Sequence, residues 1–130
     1  MGLTFRVCDG RWAVCRLAPD AEMPAWLGTG FVSVTRTPHE LSIVCPEQGV
    51  PADVQAERAW ACLQLQGPFA FTLTGVLASF LAPLAAARVP IFALSTYDTD
   101  WVLVPAARLD DALNALAAAG HLTDTSSATP

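Results

Sequence analysis

The chain has 130 residues, of which 53% are hydrophobic and 15% are charged, and its mean hydropathy is +0.42. This composition excludes a disordered chain and predicts one ordinary domain or two very small halves that share a core. The formal charge of −5 and only seven scattered basic residues exclude a basic patch, so we expect no nucleic-acid partner. The high apolar content predicts self-association, as a homodimer or with another protein.

The N-terminus and the most apolar segment bear on localisation. Residues 1–6 lack the basic start and apolar stretch of a secretory signal. Residues 69–87 carry no charge and are long enough to span a bilayer, but they contain Thr, Gly, Ser and Pro and lack flanking basic clusters. A helix buried against a sheet explains this segment better, so we predict a cytoplasmic protein with no membrane association.

Four cysteines occur without any Cys-x-x-Cys spacing: Cys8, Cys15, Cys45 and Cys62. Each has apolar, strand-like surroundings, which is typical of a small buried side chain. The two histidines, His39 and His121, adjoin no cysteine, so zinc-ligand spacing is lacking. We therefore predict no disulfide, no metal and no cofactor.

The first half is predicted to be mainly strands. Its expected strands cover residues 3–7, 12–17, 31–36, 40–45 and 60–66. The turn sequence Thr37-Pro38-His39 joins two of them into a hairpin. Two short helices are predicted, over residues 20–27 and 51–58, the first because Asp20 is an acceptable cap and Pro24 is tolerated in a first turn.

The second half begins with the strongest helical pattern of the chain. Thr74 is the predicted N-cap of a helix that reaches Ala87. Five apolar residues recur on one face of this helix: Val76, Leu77, Phe80, Leu81 and Leu84. Pro83 lies inside the helix and is expected to kink it, since proline costs about 3 kcal/mol in an isolated helix.

Two strands and a second helix follow. The strands are predicted over residues 91–96 and 101–104, joined through residues 97–100. The helix starts at Pro105, turns Leu109, Leu113 and Leu116 toward the core, and ends at Gly120. Residues 121–123 are predicted to form a closing edge strand.

The second half thus reads β-α-β-β-α-β, and the first half repeats this order in weaker form. We predict an α+β protein with two ferredoxin-like halves, whose antiparallel sheets carry helices on one face. The expected division is a degenerate N-terminal half over residues 1–60, a C-terminal half over 61–123 and a flexible tail over 124–130. Which strand within residues 60–72 belongs to which half stays open.

Residues 75–104 resemble the amino-acid-binding ACT domain, in particular the regulatory ACT domains of aspartate kinases. The resemblance rests on the loop Gly75-Val76-Leu77-Ala78, the helix that follows, and the polar cluster that opens the segment 95–104. Residues 31–46 and 94–100 are similar to paired segments of small bacterial stand-alone proteins with tandem ACT-like halves. The resemblance covers residues 12–121. Arg88 departs from it, because such domains usually have glycine at the helix end.

The resemblance implies a ligand site at the glycine-led loop. Without a side chain, Gly75 would expose the amides of Val76 and Leu77 to a ligand carboxylate, which a helix N-terminus favours by about 0.3–1 kcal/mol. The remaining predicted ligand-binding residues are Ser95, Thr96, Tyr97, Asp98, Asp100 and Glu40. One aspartate would face the ligand's ammonium group, and Glu40 would supply counter-charge at an interface between the halves.

Each of these residues also has an ordinary structural explanation. Gly75 would serve a turn into a helix, and Ser95 and Thr96 would be common strand residues. Asp98 and Asp100 would hydrogen-bond their own backbone in a turn. A cation between the two aspartates would need more oxygen ligands than the segment offers.

Catalytic motifs are missing from the sequence. No histidine stands in a nucleophile-and-base arrangement, and neither a phosphate loop nor a dinucleotide fingerprint occurs. The sequence therefore predicts a non-catalytic regulatory protein that binds a small amino acid. The alternatives are a structural dimerisation or docking module without a ligand, and an enzyme acting on an amino acid.

Overall fold

The computed structural model describes residues 2–70 and 72–125. The strands are β1 (Thr4–Val7), β2 (Trp12–Leu17), β3 (Ser33–Arg36), β4 (Leu41–Pro46), β5 (Gln55–Leu65), β6 (Phe92–Ser95), β7 (Asp100–Pro105) and β8 (Leu122–Thr123). The helices are α1 (Val76–Ala86) and α2 (Leu109–Ala118). The predicted α+β class is confirmed.

The chain divides into two units within β5, between Trp60 and Ala61. The N-terminal unit contains residues 10–60, and the C-terminal unit contains residues 2–9 together with the described residues from 61 to 125. Residues 2–9 were expected in the N-terminal half, residues 1–60, but they belong to the C-terminal unit. The reason is strand pairing, because β1 runs antiparallel to the second part of β5, with Phe5 opposite Leu65.

The C-terminal unit has the predicted order β-α-β-β-α-β from β5 to β8. Its strands are arranged as β6-β7-β5-β1-β8, so β1, from the start of the chain, lies between β5 and β8. β6 is antiparallel to β7, whereas β8 runs parallel to β1 and thus departs from a purely antiparallel sheet. The predicted edge strand at residues 121–123 is confirmed as β8.

One hydrophobic core joins the helices of this unit to its sheet. α1 contributes Val76, Phe80 and Leu84, which recur every four residues and are almost completely buried. Leu77 and Leu81 pack against the same core and are partly buried. In α2, Leu116 is fully buried, while Leu109 and Leu113 lie at the margin. The predicted apolar faces of both helices are confirmed.

Both ends of α1 use left-handed backbone. The helix begins after Gly75, at φ 77° and without a side-chain cap, so the prediction that Thr74 is the N-cap is wrong. At the other end Arg88 adopts φ 59° in the place where glycine was expected. The amides of Arg88 and Val89 donate to the carbonyls of Ala85 and Leu84, each at 3.0 Å, which closes a Schellman motif. The same motif ends α2 at Gly120, as predicted.

The N-terminal unit orders its strands as β3-β4-β2-β5. The predicted hairpin is confirmed, since β3 and β4 are antiparallel and the amide of Thr37 donates to the carbonyl of Glu40 at 2.9 Å. Residues 10–60, all of them described, contain one short 3-10 helix, Glu47–Gly49, and no α-helix. This half is therefore not a second β-α-β-β-α-β unit.

The two helices predicted in this half are wrong. Residues 20–30 form turns and irregular chain, in which Gly28 and Gly30 have positive φ and Arg36 donates to the carbonyl of Ala21 at 2.8 Å. Residues 55–58 instead begin β5, with Glu57 opposite Val14. Pairing with β2 satisfies the backbone hydrogen bonds of these residues without a helix. They therefore form a strand despite their weak local helical tendency.

The chain end and the apolar segments complete the fold. Within the predicted tail, the amide of Asp124 donates to the carbonyl of Phe5 at 2.6 Å and its carboxylate pairs with Arg6 at 3.2 Å. Residues 126–130 lie outside the described residues.

None of the helices found in residues 2–70 and 72–125 has the length and apolarity needed to cross a membrane.

Candidate functional site

The C-terminal unit contains a cavity of about 450 Å³ between the start of α1 and the turn that joins β6 to β7. Its described lining consists of Phe69, Ala70, Leu73, Gly75, Val76, Leu77, Ala78, Ser95, Thr96, Tyr97, Asp98, Thr99 and Asp100. Eight of the nine residues predicted to bind a ligand are in this set. The ninth, Glu40, belongs to the N-terminal unit, between β3 and β4, and its role stays a prediction.

The first wall of the cavity is the N-terminus of α1. The first intrahelical hydrogen bond runs from the amide of Ser79 to the carbonyl of Gly75 at 3.0 Å. The amides of Val76, Leu77 and Ala78 precede it, and no side chain caps them. No acidic residue lies in this first turn to offset the positive end of the helix dipole. An anion in the cavity would therefore meet donors that the protein leaves available.

Gly75 is required here for its backbone rather than for space. Its φ of 77° is a left-handed conformation that residues with a Cβ rarely adopt. A Cβ built at this position meets no atom within 4 Å. The glycine therefore allows the chain to turn sharply into the helix. The space beside it, in front of the amides, is open.

The second wall is the corner between β6 and β7. Ser95 and Asp100 face each other across the strands, and the Ser95 hydroxyl donates to Asp100 Oδ1 at 2.5 Å. The turn between them is closed by the amide and the hydroxyl of Thr96, which both donate to the carbonyl of Thr99, at 2.8 and 3.0 Å. The Asp100 carboxylate is thus held by a side chain of the opposite strand.

The tip of this turn is exposed. Asp98 lies on the exposed side of the turn, and Tyr97 is 81% exposed at the rim of the cavity. Leu73, which also belongs to the lining, is 49% exposed. The cavity is therefore open to solvent on the side of the turn.

A connection that the sequence did not reveal fixes the second wall against the end of β5. Thr99 is 7% exposed and donates its hydroxyl to the carbonyl of Leu65 at 2.7 Å. The amide of Phe69 donates to the carbonyl of Asp98 at 3.0 Å. At Gly67, a Cβ would lie only 2.6 Å from that carbonyl oxygen. The segment after β5 therefore lies directly against the turn.

Five lining residues were missing from the predicted site: Phe69, Ala70, Leu73, Ala78 and Thr99. Ala78 was part of the glycine-led loop on which the resemblance rests, so that loop carried enough signal to include it. Thr99 stands among hydroxyl and carboxylate residues, yet nothing local indicates its bond to Leu65. Phe69, Ala70 and Leu73 had only the apolar character of the uncharged segment 69–87.

The charges of the described lining have one sign. Asp98 and Asp100 are its ionisable carboxylates, and Lys, Arg and His are not found in it. The opposite wall carries the positive end of α1. A small zwitterion would match both walls, its carboxylate facing the amides and its ammonium group facing the aspartates.

Neither metal nor nucleophile chemistry is indicated at this site. In the described ranges, 2–70 and 72–125, we find no group of three or more His, Cys, Asp or Glu placed to hold a metal ion. The described lining also contains no histidine or cysteine that would form a nucleophile-and-base pair with Ser95 or Thr96. The arrangement suits binding.

Known proteins share this architecture. Residues 55–118 match the family model of the ACT domain, and residues 10–53 match a second model that describes an N-terminal domain. The solved structure of a protein from Agobacterium tumefaciens is 40% identical, with an alignment that covers 95% of this chain and 93% of that one and a TM-score of 0.90. The chain belongs to the family of this Agobacterium protein.

Two other relatives extend the comparison. The bovine protein named cytosolic arginine sensor for mTORC1 subunit 1 is 33% identical over 98 residues, which cover 67% of this chain and 30% of the bovine protein. The chain thus spans less than a third of that relative. The regulatory subunit of aspartate kinase from Thermus thermophilus has a TM-score of 0.61 at 13% identity, over 92% of this chain and 97% of that one. This likeness shows a shared fold.

Proposed function

We propose that this chain is a non-catalytic regulatory protein that binds a small amino acid in the cavity between α1 and the β6–β7 turn. One observation carries the proposal: uncapped helix amides and two carboxylates line the same cavity of about 450 Å³. Free amino acids carry a carboxylate and an ammonium group on one carbon, so they need these two kinds of partner close together.

The ligand would be oriented by its charged groups. Its carboxylate would accept hydrogen bonds from the amides of Val76 and Leu77 at the start of α1. Its ammonium group would donate to Asp98 or Asp100 across the cavity. Its side chain would lie along Leu73, which supplies apolar surface at the open side.

The excess of negative charge in the lining bears on the class of amino acid. Two aspartates face one helix terminus, so an amino acid with a cationic side chain would balance the charges better than an acidic one. The bovine relative is named as an arginine sensor, which supports the same class and makes arginine the first ligand to test. Its name also supports a cytoplasmic location and a role in relaying amino-acid levels to a protein partner.

A thermal-shift screen of the twenty amino acids on the whole chain tests this function. A ligand at about 100 times its dissociation constant would raise the free energy of unfolding by roughly 2.7 kcal/mol. We expect a rise with arginine or lysine and none with glutamate or aspartate. If none of the twenty changes the melting temperature, amino-acid binding is wrong.

Matched variants assign the response to the cavity. Asp98→Asn and Asp100→Asn together should leave the unliganded melting temperature close to that of the wild type and remove the ligand-dependent rise. Asp20→Asn with Asp53→Asn makes the same change of charge at two exposed positions of the N-terminal unit and should keep the response. An equal response in all these variants would place the ligand elsewhere.

The second candidate is a dimerisation or docking module that binds no small molecule. It is favoured by exposed apolar and aromatic surface at the cavity rim, where Leu73 and Tyr97 are 49% and 81% exposed. This candidate predicts that stability depends on protein concentration and not on any amino acid. Sedimentation velocity over a hundredfold range of concentration, with and without arginine, separates the two.

A further inference from the structure

Cys8 and Cys62 face each other across two paired strands of the C-terminal unit. The amide of Cys8 donates to the carbonyl of Cys62 at 2.9 Å, which continues the β1–β5 register beyond the pair Val7 and Leu63. Residues directly opposite each other point to the same face of a sheet and have Cα atoms about 5.5 Å apart when they are hydrogen-bonded. Disulfides bridge Cα atoms that are about 4.4–6.8 Å apart, and the typical spacing of such a pair falls within this range. The two thiols also share a hydrogen bond, which brings their sulfur atoms close together.

The other two cysteines provide a contrast within the same chain. Cys15 lies opposite Ile43 and Cys45 lies opposite Ala13, so these two thiols are diagonal neighbours on β2 and β4. Diagonal Cα atoms are about 7–8 Å apart, at or beyond the reach of a disulfide. All four cysteines are free and buried. Strand register therefore separates one pair that suits a disulfide from one that does not.

We propose that Cys8 and Cys62 form a site of reversible oxidation, at which a peroxide converts the two thiols into a cross-strand disulfide. The Cys8 thiolate attacks one peroxide oxygen, the O–O bond breaks, and the departing oxygen leaves as water after protonation, which gives a sulfenic acid. The Cys62 sulfur then attacks the Cys8 sulfur, the S–O bond breaks, and a second water leaves. Two thiols lose two electrons and two protons, and one hydrogen peroxide becomes two waters.

The electrostatics assign the two roles. The hydrogen bond from the Cys62 thiol, helped by the Arg6 cation, lowers the pKa of Cys8 despite burial and the nearby Asp9. The same hydrogen bond, together with burial, raises the pKa of Cys62. Cys8 is also the more exposed of the two thiols, so both observations favour Cys8 as the attacking thiolate and Cys62 as the thiol that resolves the intermediate.

The diagonal pair also shares a thiol hydrogen bond, but the pKa of neither thiol is lowered. Burial raises the pKa of Cys15. Burial and the neighbouring Cys15 raise the pKa of Cys45 to about 12. Neither thiol is activated as a thiolate, which strengthens the contrast that register alone establishes.

Burial selects the product of the reaction. Cys8 is 3% exposed and Cys62 is 0% exposed, so a small peroxide must enter during a local opening of β1. A bulky thiol such as glutathione has less access than Cys62, which is already in contact with Cys8. The intramolecular disulfide should therefore form in preference to a mixed disulfide.

The test uses the whole folded chain. The protein is treated with hydrogen peroxide, denatured, alkylated with N-ethylmaleimide and analysed by intact mass and by mapping of non-reduced peptides. We expect two of the four thiols to resist alkylation, a linked peptide that contains Cys8 and Cys62, and full recovery of alkylation after dithiothreitol. The urea midpoint of the oxidised protein should shift upward, because the bond closes a long loop.

Variants keep the proposal falsifiable. Cys15→Ser with Cys45→Ser should retain the linked peptide, and Cys8→Ser should lose it. Because these sites are buried and a variant could fail to fold, the peptide map of the wild type decides alone. Four alkylated thiols after oxidation, or a link between Cys15 and Cys45, would overturn the proposal.

Discussion

The hydroxyl of Thr99 donates a hydrogen bond to the carbonyl of Leu65 at 2.7 Å, across a separation of 34 residues. This buried bond joins the end of β5 to the turn that carries Asp98 and Asp100. The position of this turn relative to β5 therefore depends on a threonine that would not bind the ligand through its hydroxyl.

Thr99→Val tests this connection. Valine keeps the shape of threonine but leaves the carbonyl of Leu65 without its donor, which should cost about 1–3 kcal/mol of unfolding free energy. Urea denaturation measures this loss, and the ligand-induced thermal shift should shrink as the turn moves. Thr35→Val, on an exposed position of β3, is the control and should change stability little. Equal effects of both variants would refute a special role for Thr99.

Gly75→Ala tests the left-handed entry to α1. With φ at 77°, alanine should cost about 1–2 kcal/mol, although its Cβ meets open space. Gly120→Ala is a matched control, because its φ is 93° and its Cβ likewise meets no atom within 4 Å. Both variants should lose similar stability in urea, but only Gly75→Ala should weaken the response to amino acids. If both variants respond like the wild type, the Gly75 loop does not form the ligand site.

His121→Leu tests a buried hydrogen-bond bridge. Nδ1 of His121 accepts from the amide of Leu3 at 3.0 Å, so Nε2 carries the proton and donates to the carbonyl of Ser79, also at 3.0 Å. Leucine would leave both backbone groups without partners and should cost about 2–4 kcal/mol. His39→Leu, in the exposed β3–β4 turn, should cost much less in the same denaturation experiment. A small effect at His121 would mean that water replaces the ring.

The Cys45 thiol predicts a pH dependence of stability. Burial raises its pKa from 9.0 to about 12 in the folded chain, so above pH 9 the unfolded chain releases a proton that the folded chain retains. This contribution to stability is complete below pH 9 and is lost as the pH rises toward 12. Cys45→Ala should make the decline of the unfolding free energy between pH 9 and 11 less steep. The change in slope should correspond to at most one proton released per chain on unfolding. An unchanged slope in urea titrations would contradict this assignment.

Local patterns were sufficient where one element depends on its own residues. The repeat of Val76, Phe80 and Leu84 predicted the buried face of α1, because a helix brings every fourth residue to the same side. Gly120 ended α2 as predicted, since glycine adopts the left-handed conformation at little cost. The hairpin of β3 and β4 followed from alternation around a proline-containing turn.

Local patterns failed where a partner strand decided the outcome. Residues 51–58 have a weak helical pattern, but residues 55–58 pair with β2 and are extended. Residues 2–9 precede the N-terminal unit in sequence, yet β1 pairs with the second part of β5 in the other unit. Long-range hydrogen bonds outweighed a propensity of a few tenths of a kcal/mol per residue.

The sequence by itself determined the two helices of the C-terminal unit, the hairpin, and the residue types that amino-acid binding would need. Only the tertiary structure decided that the Gly75 loop and the Asp98 turn line one cavity. The bond from Thr99 to Leu65 and the close approach of Gly67 to Asp98 fix the turn against the end of β5 and the residues that follow it. Such contacts join residues that are far apart along the chain, and no local periodicity encodes the pairing of a particular hydroxyl with a particular carbonyl.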